Sequence, residues 1–397
     1  MNRATRGRRL VLVAVLTAML VIHNLQRTSF VSIFTGMHLR FNVNYAGVGL
    51  LFAAYVLGYA IAQAIVAAVG DRFNARSLLL MGLALSVLLA VVFAVTRSFE
   101  VALVARLFLG ATGALLYTPA IELSIILFEP SDRGWVMGIL QSGAGFGAVM
   151  ALILIPVIAT RLGITGALLT LPAVSTVVLL AAIGTLPASP RKESLVRIAD
   201  PRTRMGRRAD FWQLLFISFT GMLAMYGLLT WLPTYLTQSF GYSSVRAGVL
   251  SSIPNIAMVV TAPLIGKLVD LSGGRTRVVA GGSFLAFGCY LFLIPGPSVL
   301  MVSILSAFAG ISLAATTAPL MLFAGERFEF GETARVVALM ATTAQIGATL
   351  AGVLFGLALS LDNGFRIIWI TCAALALIRA VMFVAVFGRR PISAHHT

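Results

Sequence analysis

Twelve apolar runs, each about 20 residues long or longer, follow one another along this chain with mostly short polar breaks between them. They fall at about 10–36, 46–68, 77–96, 101–127, 136–160 and 164–187, then at about 212–237, 247–266, 278–296, 298–323, 336–360 and 365–387. At a helical rise of 1.5 Å, about 20 residues cross the ~30 Å hydrocarbon core of a bilayer. No water reaches that core, so a spanning backbone must satisfy its own N–H and C=O groups, and runs of this length do so as helices. Charged residues make up 11% of the chain, against about 25% in soluble globular proteins. The expected fold class is an all-α membrane protein with 12 transmembrane helices.

A net charge of +16 would suit a nucleic-acid partner, but its distribution argues otherwise. With a cytoplasmic N-terminus and an even number of spans, the cytoplasmic loops and termini hold 21 Lys and Arg and the outer loops five, while Arg27, Arg106 and Arg379 lie inside spans. That is the positive-inside pattern of a multi-pass protein of the cytoplasmic (inner) membrane with both termini in the cytoplasm. The lipid bilayer is therefore the expected partner of the basic excess, and no nucleic acid is expected. Arg3, Arg6, Arg8 and Arg9 precede the first run as in a signal peptide, but no small-residue cleavage site follows, so the run is expected to be retained. Cys289 and Cys372 both fall in spans and are expected to pack there. No His, Cys and acidic cluster, P-loop or GxSxG occurs, so no metal, cofactor or enzymatic activity is expected. The one substantial polar segment, Leu186 to Asp210, is too short for a nucleotide-binding domain, and its prolines and arginines read as an exposed linker.

The two sets of six runs echo each other at an offset of about 200 residues. YAGVGLL near Ala46 answers RAGVLSS near Ala247, GDRFNARS answers VDLSGGRTR, and Pro119 inside one run answers Pro319 inside another. The expected organisation is two pseudo-symmetric six-helix bundles, 1–187 and 212–397, joined by a cytoplasmic linker at 188–211. Two similar bundles facing each other across a central cavity make an alternating-access transporter. The chain is expected to work as a monomer.

The loop after the second run, and its copy in the second half, resemble the GxLaDRxGRR motif of the major facilitator superfamily. Asp71, Arg72 and Arg76 match in the first copy, with Ala67 and Asn74 replacing glycines; GKLVDLSGGRTR keeps Gly266, Asp270, Arg275 and Arg277. The resemblance covers essentially the whole chain, and RLFLGATGALLYTPA adds the family's Arg-x-x-x-Gly pattern at Arg106, Gly110 and Gly113. Asp71, Arg72, Arg76, Asp270, Arg275 and Arg277 would then form charged clamps that break and reform as the bundles rock. Within the superfamily, NLQRTSF, LLFAAYVLGYAIAQ, FEPSDRGWVMGI and WLPTYLTQSFGYSSVRAG resemble the organic-anion symporters and organophosphate antiporters. In both branches an arginine of the first span binds the anion, and Arg27 falls at that position. The family's other charges do not: the seventh span has no arginine, Gln26 stands where the symporters have Asp, and Gly113 where they have Glu.

A charge deep in a bilayer costs at least about 2.5–3.5 kcal/mol and is usually kept for function. The first span carries His23, Asn24, Gln26 and Arg27 within five residues, and His23, Arg27, Phe30 and Phe34 recur at i, i+4, i+7 and i+11 on one helical face. Arginine presents a planar fork of donors that matches a carboxylate or similar oxyanion. Arg106 either lines the cavity or snorkels outward. Glu122, an acid inside a span, either carries a proton or pairs with a loop arginine such as Arg133. His23 is the second candidate proton carrier, and Arg379, eight residues from the end of its span, is expected to snorkel. Tyr117, Gln141, Tyr226, Trp231, Asn255 and Gln345 are expected to complete the solute site beside Arg27, His23, Asn24 and Arg106. The expected function is a secondary active transporter of a small anion, an organic carboxylate or similar oxyanion, coupled to protons or to a counter-anion. The alternative is multidrug or metabolite efflux by proton antiport.

Overall fold

The structure, a computed structural model, describes residues 3–69, 73–187, 209–272, 275–328, 330–361 and 364–387. These residues are helical almost throughout. The helices are α1 (Arg3–Ser29), α2 (Phe34–Phe41), α3 (Tyr45–Val69), α4 (Ala75–Val95), α5 (Phe99–Leu127), α6 (Pro130–Thr185) and α7 (Ala209–Phe240). They continue with α8 (Ser244–Ser272), α9 (Arg275–Leu293), α10 (Val299–Thr316), α11 (Ala318–Arg327), α12 (Phe330–Ala358) and α13 (Gly364–Phe387). Among the described residues, 11 helical runs are long and apolar enough to cross a membrane.

One of those runs accounts for the difference from twelve. The stretch Asp132–Thr185 is 54 residues long, about 80 Å as a straight helix and far more than a bilayer's thickness. Gly163 divides it with φ 70° and ψ 172°, a backbone conformation that side-chain-bearing residues avoid. Two crossings result, as the apolar pattern predicts.

Two other spans are broken where the sequence shows continuous apolar runs. The first stops at Ser29, passes through a 3-10 turn at Val31–Ile33 and resumes as α2. The tenth is interrupted at Thr317, leaving α10 and α11. Here the echo of Pro119 and Pro319 fails as structure. Pro119 sits inside the unbroken α5, whereas Pro319 stands in the first turn of α11, where a missing N–H leaves no helical bond unmade.

The chain separates into two compact units, Met1–Val196 with Tyr242–Ser252, and Arg197–Gly241 with Ile253–Thr397. The expected linker at 188–211 lies outside the described residues up to 208. Inside the first unit α1 packs on α6, α3 on α5, and α4 on α5 and α6. Inside the second, α7 packs on α12, and α9 on α10 and α13, which repeats the pattern. The repeat reaches the atoms at its tightest crossings. A Cβ on Gly110 would collide with the Tyr55 carbonyl, and one on Gly310 with the Pro254 carbonyl. Gly147 meets the Val21 carbonyl in the same way, and Gly347 the Phe219 carbonyl. Ser98 caps α5 by accepting from Val101 N–H, and Ser298 caps α10 by accepting from Met301 N–H. Small residues at such crossings let helices associate by close van der Waals packing where lipid offers no hydrophobic drive between them.

Of the expected clamp residues, Asp71 and Arg72 lie outside the described residues. Asp270 and Arg275 are described only as backbone of α8 and α9, and Arg277 is exposed. Arg76 is informative. Its Nη2 donates to the Ile183 carbonyl in the last turn of α6 (3.1 Å), a cation at a helix C-terminus, while Asn74 caps α4 by accepting from Arg76 N–H (2.9 Å). The motif's missing glycine is thus a helix cap. Arg9 pairs with Glu129 (3.1 Å) and Asp132 (3.3 Å), which ties α1 to the start of α6. Both cysteines are buried and free.

Gly110→Ala is expected to lower the melting temperature of the purified protein strongly, with overpacking costing about 1–3 kcal/mol or more, while Gly184→Ala, with open space around it, leaves it nearly unchanged. Equal effects in a thermal-unfolding series would remove the crossing at Tyr55 as a determinant of stability.

Candidate functional site

The polar residues of α1 point in different directions. Gln26 is 1% exposed and turns towards α6, where its Nε2 donates to Ser175 Oγ (3.1 Å), itself bonded to the Leu171 carbonyl. Asn24 bends back to the Leu20 carbonyl of its own helix (3.3 Å). His23 and Phe30 pack instead on residues of α3, α4 and α5, and the half-buried Arg27 stands between them one turn on.

α5 supplies the complementary surface. Arg106, Gly110 and Gly113 recur at i, i+4 and i+7 and share a face. Gly110 admits the backbone of α3 at Tyr55, and Gly58 of α3 lies reciprocally on the Leu107 carbonyl. One turn further, the place of a Gly113 Cβ is filled by the imidazole of His23. The His23 ring stacks on Tyr59 (5.0 Å) and Tyr55 (6.3 Å) and lies 6.2 Å from the tilted Tyr117 ring. The Tyr55 hydroxyl donates to the His23 carbonyl (3.2 Å) and stands 3.3 Å from Nδ1. Gln63 donates to the Tyr59 hydroxyl (3.4 Å), and Tyr117 donates to Gln141 Oε1 (3.0 Å). His23 thus sits in a box of three tyrosines that connects, through Tyr117, to the exposed Gln141.

Arg106 does not snorkel outward: it is 1% exposed. Its guanidinium lies over the rings of Phe30 (4.5 Å), Tyr55 (4.5 Å) and Phe93 (5.4 Å) and donates to the carbonyls of Gln26 and Leu51 (both 3.3 Å). Three ring faces and two carbonyls stand in for the water that burial removes.

The other expected residues are dispersed. Glu122 is half-buried on α5, and the Nε of Arg133, its proposed partner, donates to the Phe128 carbonyl (3.1 Å). In the second unit Trp231 has no exposed surface and donates to the Ala351 carbonyl (3.2 Å), so it is a core residue rather than a cavity wall. Tyr226, Asn255 and Gln345 are half-buried there. Arg379 does not snorkel: its Nη2 reaches across to the Thr316 carbonyl (3.4 Å). Sequence reasoning treated Gly113 as a missing acid and did not find its packing against His23. It also missed Ser175 and Gln63, since contacts between distant helices leave no spacing signal. The depth of Arg379 in its span was the one available sign of its role.

The family model described as Major Facilitator Superfamily matches residues 16–351 and, in a second match, 235–397. The chain belongs to the major facilitator superfamily. It is accordingly a multi-pass membrane protein and a secondary transporter, not an enzyme. A probable nitrate/nitrite transporter of Mycobacterium tuberculosis is 26% identical over 88% of this chain and 89% of its own. A probable sulfoacetate transporter of Cupriavidus necator is 27% identical over 64% and 62%. Among solved structures, a bacterial homologue of the human lysosomal transporter Spinster, inward-facing and occupied, superposes with a TM-score of 0.80 at 17% identity, covering 96% of this chain and 97% of that one. That likeness bears on the fold.

Replacing Arg106 by Met is expected to destabilise the protein by about 2 kcal/mol, the scale of a desolvated cation–π cluster, whereas Arg161→Met at an exposed site has no measurable effect. Thermal unfolding of the two variants in detergent decides the point.

Proposed function

We propose that the chain carries a small anion, an organic carboxylate or a comparable oxyanion, across the cytoplasmic membrane by alternating access. The observation that carries this reading is Arg27: a cation at the middle of a membrane span, half-buried and one turn from the His23–tyrosine box. A guanidinium there costs at least about 2.5–3.5 kcal/mol, and an oxyanion ligand held through two parallel N–H···O bonds offsets that cost. Two similar proteins named for anionic solutes, nitrate or nitrite and sulfoacetate, support the same class. In this reading Arg27 anchors the anion, and His23, Tyr117 and Gln141 line its approach. Arg106 acts at a distance, by holding Phe30 and Tyr55 in place.

Coupling follows one of two routes. A proton carried by His23 or Glu122 gives symport, and exchange for a second anion needs no titrating side chain. A pH gradient that drives uptake with no anion on the far side marks the first route; uptake that requires a trans anion marks the second. Both termini face the cytoplasm in this proposal, and the protein acts as a monomer. Arg76 and the second-half motif serve as the clamps at the cytoplasmic ends of the helices.

Arg27→Ala is expected to abolish anion binding and proteoliposome counterflow. Arg27→Lys keeps the charge but loses the fork, and is expected to weaken apparent affinity by at least about tenfold. Wild-type flux in both variants overturns the proposal, and binding of cationic dyes that ignores Arg27 supports efflux instead.

A further inference from the structure

The second unit holds a cavity of about 60 Å³ that the Arg27 site does not use, lined by residues of α7, α10, α11, α12 and α13 and by the Thr317 break. Arg379 lines it. One nitrogen of its guanidinium, Nη2, donates to the Thr316 carbonyl (3.4 Å), while its buried Nε has no hydrogen-bond acceptor among the described residues. α7 is shaped to receive this group: a Cβ on Gly221 would overlap Nη1 and stand 2.9 Å from Cζ, so any side chain larger than hydrogen would push the guanidinium out of place.

The break in the tenth span opens on the same cavity. Thr317 and Leu320 line it, and α11, a helix of 10 residues, starts beside them at Ala318. The first N–H groups of a helix have no partner within it and carry the positive end of its dipole; in α11 these are the N–H groups of Ala318 and Leu320, since Pro319 has none and the Met321 N–H bonds the Thr317 carbonyl. Thr317 does not cap them; its hydroxyl turns back to the Leu313 carbonyl. A guanidinium and a helix N-terminus therefore meet at one small cavity, and no Asp or Glu is among the described residues that line it. Broken membrane helices present their half-helix N-termini to anions in this way.

We propose that Arg379 and the N-terminus of α11 form a second anion site, for a small monovalent anion such as chloride, nitrate or formate. The cavity is small, about 60 Å³, and suits a compact anion. Bound there, the anion neutralises Arg379 and joins α13 to the broken span. The site stands apart from Arg27 and does not depend on which solute Arg27 binds.

The test is thermal unfolding of the full chain in detergent, with sodium chloride replacing sodium gluconate at constant ionic strength. Wild type is expected to gain about 2–4 °C in melting temperature as chloride rises to 100 mM, with nitrate and formate acting alike. Arg379→Met is expected to lose that gain, Gly221→Ala to reduce it, and Arg27→Met to keep it while losing organic-anion uptake. A wild type indifferent to all three anions, or an Arg379→Met protein that still responds, overturns the site. If Arg379→Met does not fold, chloride-35 line broadening compares wild type with Gly221→Ala. Broadening that nitrate displaces and the variant weakens supports the site; broadening that the variant leaves unchanged overturns it. Loss of uptake in Arg27→Met with the chloride response intact separates the two sites.

Discussion

The first unit depends on one contact, the Tyr55 carbonyl of α3 pressed against Gly110 of α5. With the two backbones touching, the Tyr55 side chain has one place to go. Its ring lies under the Arg106 guanidinium and its hydroxyl reaches His23. Arg106 precedes Gly110 by one turn and Gly113 follows it by one, so the crossing sets the positions of cation and imidazole together. A side chain at Gly110 would part the helices, and the ring that links Arg106 to His23 would lose its position. The Arg-x-x-x-Gly pattern is in this sense a packing instruction: the glycine brings the helices together, and the arginine uses the aromatic faces that the contact brings within reach.

The second unit repeats the packing without the chemistry. Gly310 and Gly347 reproduce the crossings of Gly110 and Gly147. The position matching Arg106 is Ser306, buried, and the one matching Gly113 is Leu313, so the second unit has neither the caged cation nor the space for an imidazole. It holds a half-buried cation elsewhere, Arg379 on α13, against a glycine of α7 and a span broken at Thr317. Lipid demands close helix packing from both halves alike, so the packing repeats. Charged groups need particular partners, and the two halves supply them at unrelated positions.

The sequence alone determined the class of the molecule. Apolar runs of span length, charges gathered mostly at their ends and an echo at an offset of 200 leave a hydrocarbon-embedded helical repeat as the solution, because a backbone in lipid has so few ways to satisfy its hydrogen bonds. It also singled out His23, Arg27 and Phe30 as one helical face, a matter of the 3.6-residue period. The tertiary structure decided what that face meets. Pro119 and Pro319 look alike in sequence and end in an intact helix and a broken one. Arg106, Trp231 and Arg379 look alike as polar groups in apolar runs, yet the first is caged by rings, the second packed in a core and the third set on a cavity. Those outcomes depend on which side chains of other helices lie within about 5 Å, and helices far apart in sequence meet at positions that no local period records.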